Sequence, residues 1–237
     1  MNTTEYGNKR FTYASLFAGI GGFESGLNAI GGHNVFASEI DKFARQSYEV
    51  LYGVEPSGDI TQIDSADIPS HDLLTAGFPC QAFSVAGQRA GMAFKCTSDS
   101  CGTTQTISFQ QYADRDFTCE SCGERIEAVD GRGLLFFEVA RVARDKQPKV
   151  VLLENVKGLV GHDKGRTLDT IVRTMSEIGY VVDFEVLNSK FFGVPQNRER
   201  IFIVAVREDI QPHEEWTEES LKGNTVVPKG KRRIAEY

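Results

Sequence analysis

The chain lacks a long apolar segment, a positive net charge and a high cysteine content. Its longest apolar runs, residues 150–153 and 201–206, are too short to cross a bilayer, so we expect no membrane span. Its 33 Asp and Glu outnumber its 26 Lys and Arg, which gives a formal charge of −7. This balance excludes a protein coated in basic residues, but a local basic cleft could still hold nucleic acid. No charged and then apolar leader opens the chain, and an odd number of cysteines fits a reducing compartment. We therefore expect a cytoplasmic protein.

The 237 residues, of which 41% are hydrophobic, are enough for one globular domain plus an accessory piece. Short apolar runs alternate with segments of helical spacing. The runs predict strands at 13–17, 34–39, 73–77, 150–154, 180–187 and 200–206. The helical spacing predicts helices at 41–52, 133–144 and 167–178, the last two ended by Pro148 and Gly179. This alternation predicts an α/β fold with a doubly wound, parallel or mixed sheet, which binds ligands at the carboxyl ends of its strands.

Two segments interrupt this alternation. Residues 94–130 are polar, show no sustained period and contain four cysteines, so we interpret them as an inserted module. Residues 208–237 are first acidic and then basic, and we interpret them as a tail or a link to a further domain. The main domain would then consist of residues 11–93 and 131–207.

A glycine-rich turn follows the first predicted strand, with Gly19, Gly21 and Gly22. Such a turn lets the backbone approach a nucleotide-like ligand, although a simple strand-to-helix turn has the same composition. Glu24 occupies the last glycine position of a dinucleotide fingerprint, which disfavours a pyrophosphate cradle and a nicotinamide dehydrogenase. Glu39 stands where a carboxylate holds ribose hydroxyls. Asp59, at the expected end of a third strand, could hold an adenine amino group or cap a turn.

Polar residues that suit catalysis lie at the ends of three other strands. Cys80, in a Pro-Cys-Gln loop, is placed for nucleophilic attack, although it could be a buried structural cysteine. Glu154 ends a buried strand and could bond a polar heterocycle. Arg198 and Arg200 alternate with Glu199, so on an extended chain both point to one face and could clamp an anion or a base oxygen.

The four clustered cysteines have the spacing C-x4-C-x17-C-x2-C, and Cys-Gly ends both halves. This pattern resembles a zinc ribbon with four thiolate ligands, Cys96, Cys101, Cys119 and Cys122. The alternative is an oxidised or unliganded loop. Residues 95–130 hold three basic and seven acidic side chains, so the module is poorly suited to gripping phosphates over its whole surface.

Ordered motifs across residues 11–206 resemble those of the DNA (cytosine-5) methyltransferases of bacterial restriction-modification systems. They are FAGIGGF from Phe17, SEIDKFA from Ser38, GDI from Gly58, GFPCQAFSVAG from Gly77, RGLLFFEVARV from Arg132, KVVLLENVKGL from Lys149 and FFGVPQNRERIFIVAV from Phe191. The resemblance implies the fold of S-adenosylmethionine-dependent methyltransferases and methyl transfer to C5 of a flipped cytosine in DNA.

The resemblance also implies roles for individual residues. Cys80 would add to C6 of the base, and Glu154 would form hydrogen bonds with N3 and the amino group. Arg200 would hold O2, and Arg198 would brace Glu154 or a phosphate. Phe17 would stack on the adenine of the cofactor, Glu39 would bind its ribose and Asp59 its amino group. The other expected cofactor residues are Gly19, Gly21, Gly22, Ile40, Ile60, Phe78 and Asn224. Gln81 and Ser84 would contact DNA.

The chain departs from that family at its end. Only 31 residues follow Val206, where the family has a long target-recognition domain, although residues 223–228 resemble the motif that closes the family's fold. We therefore expect that a second chain or a missing domain supplies recognition of the DNA sequence. Two alternatives stay open, cytosine-5 methylation of tRNA and a non-catalytic relic that binds the cofactor.

Overall fold

The structure, a computed structural model of the chain, describes residues 10–79 and 93–210. Its strands are β1 (Phe11–Leu16), β2 (Gly32–Ser38), β3 (Leu73–Ala76), β4 (Ala93–Cys96), β5 (Thr104–Thr106), β6 (Ile126–Ala128), β7 (Val150–Val156), β8 (Tyr180–Asn188) and β9 (Glu199–Arg207). Its α-helices are α1 (Gly22–Ala29), α2 (Lys42–Tyr52), α3 (Phe109–Ala113), α4 (Leu135–Lys146) and α5 (Arg166–Glu177). No helix in the described ranges is long and apolar enough to span a membrane.

The main sheet has six strands in the order β2-β1-β3-β7-β9-β8. The first four are parallel to one another, whereas β9 is antiparallel to both β7 and β8. The prediction of a mixed sheet in an α/β fold is therefore confirmed. The chain moves from β1 to β2 on one side and then to β3 on the other, and such a reversal is where open α/β sheets bind ligands.

The strands and helices predicted from the sequence are present, with ends displaced by at most two residues. The helix α1 was not predicted. The prediction that a third strand ends at Asp59 is wrong, because that strand is β3, which begins at Leu73. Asp59 instead precedes a 3₁₀ turn, Ile60–Gln62, and its side chain accepts a hydrogen bond from Thr61 N at 3.0 Å. The reason is local, since a short acceptor side chain satisfies the free N–H groups at the start of a turn.

Residues 93–128 lie between β3 and α4 and form a small antiparallel sheet in the order β5-β4-β6, together with α3. This unit is not separate from the main core. Phe94, Phe109 and Ile126 belong to the same cluster of buried side chains as Leu74 and Val151 of the main sheet. Apolar burial is therefore continuous from the main sheet into the cysteine-containing segment.

Candidate active site and cysteine cluster

A cavity of about 610 Å³ opens at the carboxyl ends of the parallel strands, a size typical of small-molecule sites. Residues that follow β1, β2, β3 and β7 line it, and β9 contributes from its amino end because it runs in the opposite direction. The lining residues are Phe17, Gly19, Ser38, Glu39, Ile40, Gly58, Asp59, Ile60, Thr61, Gly77, Phe78, Pro79, Arg132, Leu135, Glu154, Val156, Arg198 and Arg200.

The turn after β1 has an unusual backbone. Phe17 has a φ of 55° although it is not glycine, and Gly19 and Gly21 have φ of 58° and 93°. A non-glycine residue in the left-handed region costs free energy and is often found where a ligand binds. Gly21 and Gly22 do not line the cavity. Gly21 instead lies under Tyr52, whose hydroxyl donates to its carbonyl oxygen at 2.7 Å, and an added Cβ there would come within 2.1 Å of the Tyr52 ring.

The side of the cavity formed by β1 and β2 carries a carboxylate held by backbone amides. Glu39 Oε2 accepts from Gly19 N and Oε1 accepts from Asp41 N, both at 2.8 Å. Each oxygen keeps a second lone pair for a ligand hydroxyl. Beside it, the hydroxyl of Ser38 is buried and has no hydrogen-bond partner among the described residues, and Ile40 is 67% exposed.

These groups match what a nucleoside-like ligand offers. Phe17, Ile40, Ile60 and Phe78 provide apolar surface for a flat ring, and Glu39 and Asp59 provide acceptors for hydroxyl and amino hydrogens. The residues present therefore fit the nucleoside part of S-adenosylmethionine.

The opposite side of the cavity carries an ion pair between neighbouring strands. Arg200 Nε lies 2.8 Å from Glu154 Oε1, and about a fifth to a quarter of each side chain is exposed. Glu154 is paired with Phe202 in the register of β7 and β9, so Arg200, two residues before Phe202, is its diagonal neighbour on the same face. Arg200 is the residue that contacts Glu154, whereas Arg198, expected to brace Glu154 or a phosphate, lines the cavity just before β9. The role of Arg198 toward a phosphate stays a prediction.

Three residues stand out among those of this region that the sequence patterns did not indicate. Asn155 is 1% exposed, and its amide Nδ2 donates to the carbonyl oxygen of Phe78 at 3.0 Å, which ties β7 to the segment that leads to Cys80. Arg132 and Leu135 line the cavity. The guanidinium of Arg132 also donates two hydrogen bonds to Asp130 and lowers the pKa of that carboxyl. The only sequence signals were the Glu-Asn-Val and Arg-Gly-Leu-Leu motifs.

Four of the predicted site residues lie outside the described ranges. They are Cys80, Gln81, Ser84 and Asn224.

The four cysteines of residues 93–128 converge. Their Sγ atoms all lie within 4.8 Å of one another, with Cys96 and Cys122 at 3.5 Å and Cys101 and Cys119 at 3.8 Å. Four sulfurs placed tetrahedrally at about 2.3 Å from a zinc ion would be about 3.8 Å apart. The donor set and spacing therefore fit a four-thiolate zinc site.

The two halves of the cysteine cluster have the same backbone pattern. Cys96 N donates to Thr103 O at 2.9 Å, and Cys119 N donates to Glu124 O at 2.7 Å. Each half then ends in a glycine with positive φ, Gly102 at 62° and Gly123 at 77°. This repeated turn presents two sulfurs from each half to one point.

The chain is similar to known methyltransferases in both its fold and its sequence. The structure of Dnmt2 methyltransferase from S. pombe has a TM-score of 0.61 over 93% of this chain and 57% of its own, at 20% identity, which shows a methyltransferase fold. A profile of C-5 cytosine-specific DNA methylases matches residues 11–97 and 120–235. The chain belongs to this family.

Two relatives are more similar to this chain in sequence than the S. pombe protein is. The orphan methyltransferase M.SPBetaI of Bacillus phage SPbeta is 47% identical over 227 residues, which are 94% of this chain and 50% of that protein. The type II methyltransferase M.HhaI of Haemophilus parahaemolyticus is 39% identical over 198 residues, 84% of this chain and 50% of that protein. The chain thus spans about half the length of these relatives, and the family profile leaves out residues 98–119 of the cysteine-containing segment.

Proposed function

We propose that this chain is the catalytic part of a DNA cytosine-5 methyltransferase that transfers a methyl group from S-adenosylmethionine to C5 of a flipped cytosine. The observation that carries the proposal is that a nucleoside-type wall, with Glu39 and Asp59, and the Glu154–Arg200 ion pair share one cavity. One wall suits the cofactor, and the ion pair suits a polar heterocycle beside it.

On the base side, the Cys80 thiolate would add to C6, and the electrons of the C5–C6 double bond would make C5 nucleophilic. Glu154, once protonated, would donate to N3 through one oxygen and accept from the amino group through the other, which stabilises the charge that develops as the sulfur adds. Arg200 would hold O2 while its contact with Glu154 orients that carboxylate. After methyl transfer a base removes the C5 proton, the C5–C6 double bond forms again and the C6–S bond breaks.

On the cofactor side, bound S-adenosylmethionine supplies a sulfonium methyl group. Phe17 and Ile40 would contact the adenine, Glu39 would accept hydrogen bonds from the ribose, and Asp59 would accept one from the amino group. Asn155 would act indirectly, because its bond to the Phe78 carbonyl holds the segment that leads to Cys80.

Recognition of the DNA sequence would come from outside these residues. The matched relatives are about twice as long as their region of similarity to this chain. Base edges are read by side chains placed in the grooves, whereas the residues of the cavity would hold the cofactor and one flipped base. A second chain or a further domain would therefore supply target selection.

Covalent trapping on 5-fluorocytosine tests the catalytic proposal, because fluorine at C5 blocks the final proton removal. Duplex DNA of mixed sequence that contains 5-fluorocytosine is incubated with the chain and S-adenosylmethionine, with and without the proteins encoded beside it. We expect a denaturant-stable adduct that Cys80→Ser abolishes. We expect Glu154→Gln to slow its formation by at least about 100-fold.

The matched control is Glu49→Gln, which changes an exposed carboxylate of α2 away from the cavity and should form the adduct at the wild-type rate. If no adduct forms under either condition, the chain is a non-catalytic relic. If trapping occurs on 5-fluorocytosine tRNA and not on DNA, the substrate class is wrong.

We further propose that Cys96, Cys101, Cys119 and Cys122 bind one structural zinc ion in a ribbon-like module inserted in the methyltransferase fold. The convergence of four sulfurs from two equivalent turns supports this site. The module's formal charge of −4 disfavours a phosphate-binding role, so zinc would act by holding the short strands β4, β5 and β6 together.

The number of zinc ions bound per purified chain tests this second proposal. We expect about one zinc per wild-type chain. Cys101→Ser should lose most of that zinc, whereas Cys80→Ser should keep it, since Cys80 is the one cysteine outside the cluster. Equal zinc in the two variants, or none in the wild type purified with zinc present, would rule out the four-thiolate site.

A further inference from the structure

A line of polar side chains connects the cysteine-containing module to the wall of the cavity. It begins at Tyr112 in α3, whose hydroxyl donates to Glu138 Oε1 at 2.7 Å. Glu138, in α4, is 2% exposed, and its second oxygen Oε2 accepts from Arg141 Nε at 2.8 Å. The module is therefore linked to α4 through a buried carboxylate with a donor on each oxygen.

Arg141 extends the line to the cavity. One guanidinium nitrogen, Nη1, donates to Ser65 Oγ at 2.7 Å, and the other, Nη2, donates to the carbonyl oxygen of Ile60 at 3.0 Å. Ile60 lines the cavity between Asp59 and Thr61, which also line it. The guanidinium fork thus holds the backbone of the turn that carries Asp59.

Phe117 connects Tyr112 to the turn of the second cysteine pair. The Tyr112 ring is 6.4 Å from the ring of Phe117, which stands two residues before Cys119. Ile126 N donates to the carbonyl oxygen of Phe117 at 2.9 Å, so the turn that carries Cys119 and Cys122 is closed at Phe117. Loss of order at the sulfurs would release this turn and the ring that supports Tyr112.

Burial makes this line sensitive to the loss of one member. A buried carboxylate needs all of its donors, because removing one leaves an oxygen that neither protein nor water satisfies. Burial, together with the neighbouring Glu138, raises the pKa of Tyr112, so the phenol stays a donor at neutral pH.

We propose that zinc binding at the four cysteines and cofactor binding in the cavity are energetically coupled through Tyr112, Glu138 and Arg141. The three act as positioning residues for the Asp59–Thr61 turn and do not contact the cofactor themselves. This coupling rests on the proposed function, which places zinc in the cluster and the cofactor beside Asp59. Because coupling is reciprocal, the cofactor also tightens zinc binding.

Calorimetric titration with S-adenosylhomocysteine, the demethylated product, measures the coupling without turnover. We compare the zinc-loaded and the chelator-treated chain for the wild type, Tyr112→Phe and Tyr180→Phe. Tyr180→Phe is the matched control, since Tyr180 is fully buried and its hydroxyl donates to Pro148 O at 2.8 Å, away from both sites.

In the wild type and Tyr180→Phe, we expect zinc removal to raise the Kd for S-adenosylhomocysteine about fivefold or more. In Tyr112→Phe, the Kd is expected to be raised already with zinc bound, and zinc removal should add little. In methyl transfer assays, Tyr112→Phe should raise KM for the cofactor and leave kcat near its wild-type value.

Two variants keep the coupling testable if chelation unfolds the chain. The comparison of zinc-loaded Tyr112→Phe with zinc-loaded Tyr180→Phe needs no metal removal. Arg141→Lys keeps the positive charge beside Glu138 but loses the fork that reaches Ile60 and Ser65, so it should weaken cofactor binding similarly.

Failure of the coupling and failure of the proposed function give different results in these titrations. If the zinc-loaded wild type binds S-adenosylhomocysteine and neither Tyr112→Phe nor Arg141→Lys weakens that binding relative to Tyr180→Phe, the coupling is wrong and the proposed function stands. If the wild type does not bind S-adenosylhomocysteine at all, the proposed function fails first, and the coupling with it.

Discussion

At the scale of single residues, the contact between Glu154 and Arg200 shows that strand register determines which two side chains form an ion pair. The sequence offered two arginines on one face of an extended segment, and either could reach a carboxylate. The antiparallel register of β7 and β9 makes Arg200 the diagonal neighbour of Glu154 and leaves Arg198 before the strand. Register depends on pairing across 46 residues of chain, which a local pattern does not contain.

Glu24 is a second residue whose surroundings and pKa shift are evident only from the structure. From the sequence it was notable as the absent glycine of a dinucleotide fingerprint. In the fold it is fully buried and accepts a hydrogen bond from the Tyr48 hydroxyl at 3.1 Å. Desolvation by burial raises the pKa of this carboxyl above its ordinary value.

This raised pKa predicts a pH dependence of stability. The folded chain keeps the Glu24 proton to a higher pH than the unfolded chain does, so a rise in pH above about 4.3 favours unfolding. Relative to the wild type, Glu24→Gln should therefore become more stable as pH rises from 4 to 8. Urea unfolding at several pH values measures the difference.

The control for this prediction is Glu49→Gln on the exposed side of α2, whose free energy of unfolding should run parallel to that of the wild type. Parallel curves for Glu24→Gln as well would show that Glu24 titrates alike in both states, contrary to the prediction.

At the scale of elements, the helices with clear end signals were predicted well. Asp41 caps α2, accepting hydrogen bonds from Phe43 N and Ala44 N, and Gly53 closes that helix with a φ of 73°. Gly179, predicted to stop α5, has a φ of 92° just after it. These signals are local, because a cap is made by side chains and backbone within one turn.

The elements of the module were not predicted. The strands β5 and β6 have three residues each and α3 has five. Such segments are too short to show a period of 2 or 3.6 residues. Their positions depend on the convergence of four cysteines and on packing against α4, both of which are tertiary contacts.

The short helix α3 is capped by the residue that precedes it. Ser108 accepts a hydrogen bond from Gln111 N at 3.1 Å, and the Gln111 side chain accepts one from Ser108 N at 2.9 Å, which is a capping box. Replacing such a cap by alanine typically costs about 1 kcal/mol. We expect Ser108→Ala to lower the free energy of unfolding by that amount.

Chemical denaturation tests this expectation, with Ser176→Ala as the control. Ser176 is exposed near the end of α5, where alanine should change stability by less than about 0.5 kcal/mol. If both variants unfold like the wild type, the capping box does not stabilise α3.

At the scale of the whole molecule, the module and the main domain share one apolar core. Tyr112 and Phe137 pack with ring centroids 5.1 Å apart, and both belong to the cluster that includes the main sheet. The predicted boundaries at 94 and 130 describe where the sequence pattern changes. They do not mark a break in packing, so the module has a route to influence the cavity.

The sequence by itself carried the family motifs and predicted the six strands of the main sheet, three of its helices, and several of the residues that line the cavity, among them Glu39, Glu154 and Arg200. It could do so because the carboxyl ends of parallel strands meet at one edge of a sheet, wherever the intervening chain runs. The cysteine spacing likewise indicated two short turns that each present a pair of sulfurs, because the two cysteines of each half lie only a few residues apart.

Only the tertiary structure decided which of these groups contact one another. It placed Arg200 on Glu154, Gly21 beneath Tyr52, and Arg141 between Glu138 and the carbonyl of Ile60. Each contact joins residues far apart in the chain, and strand register and core packing fix it. Patterns of residue type along the chain specify which face a side chain occupies, whereas its partner is specified by the element that packs against that face.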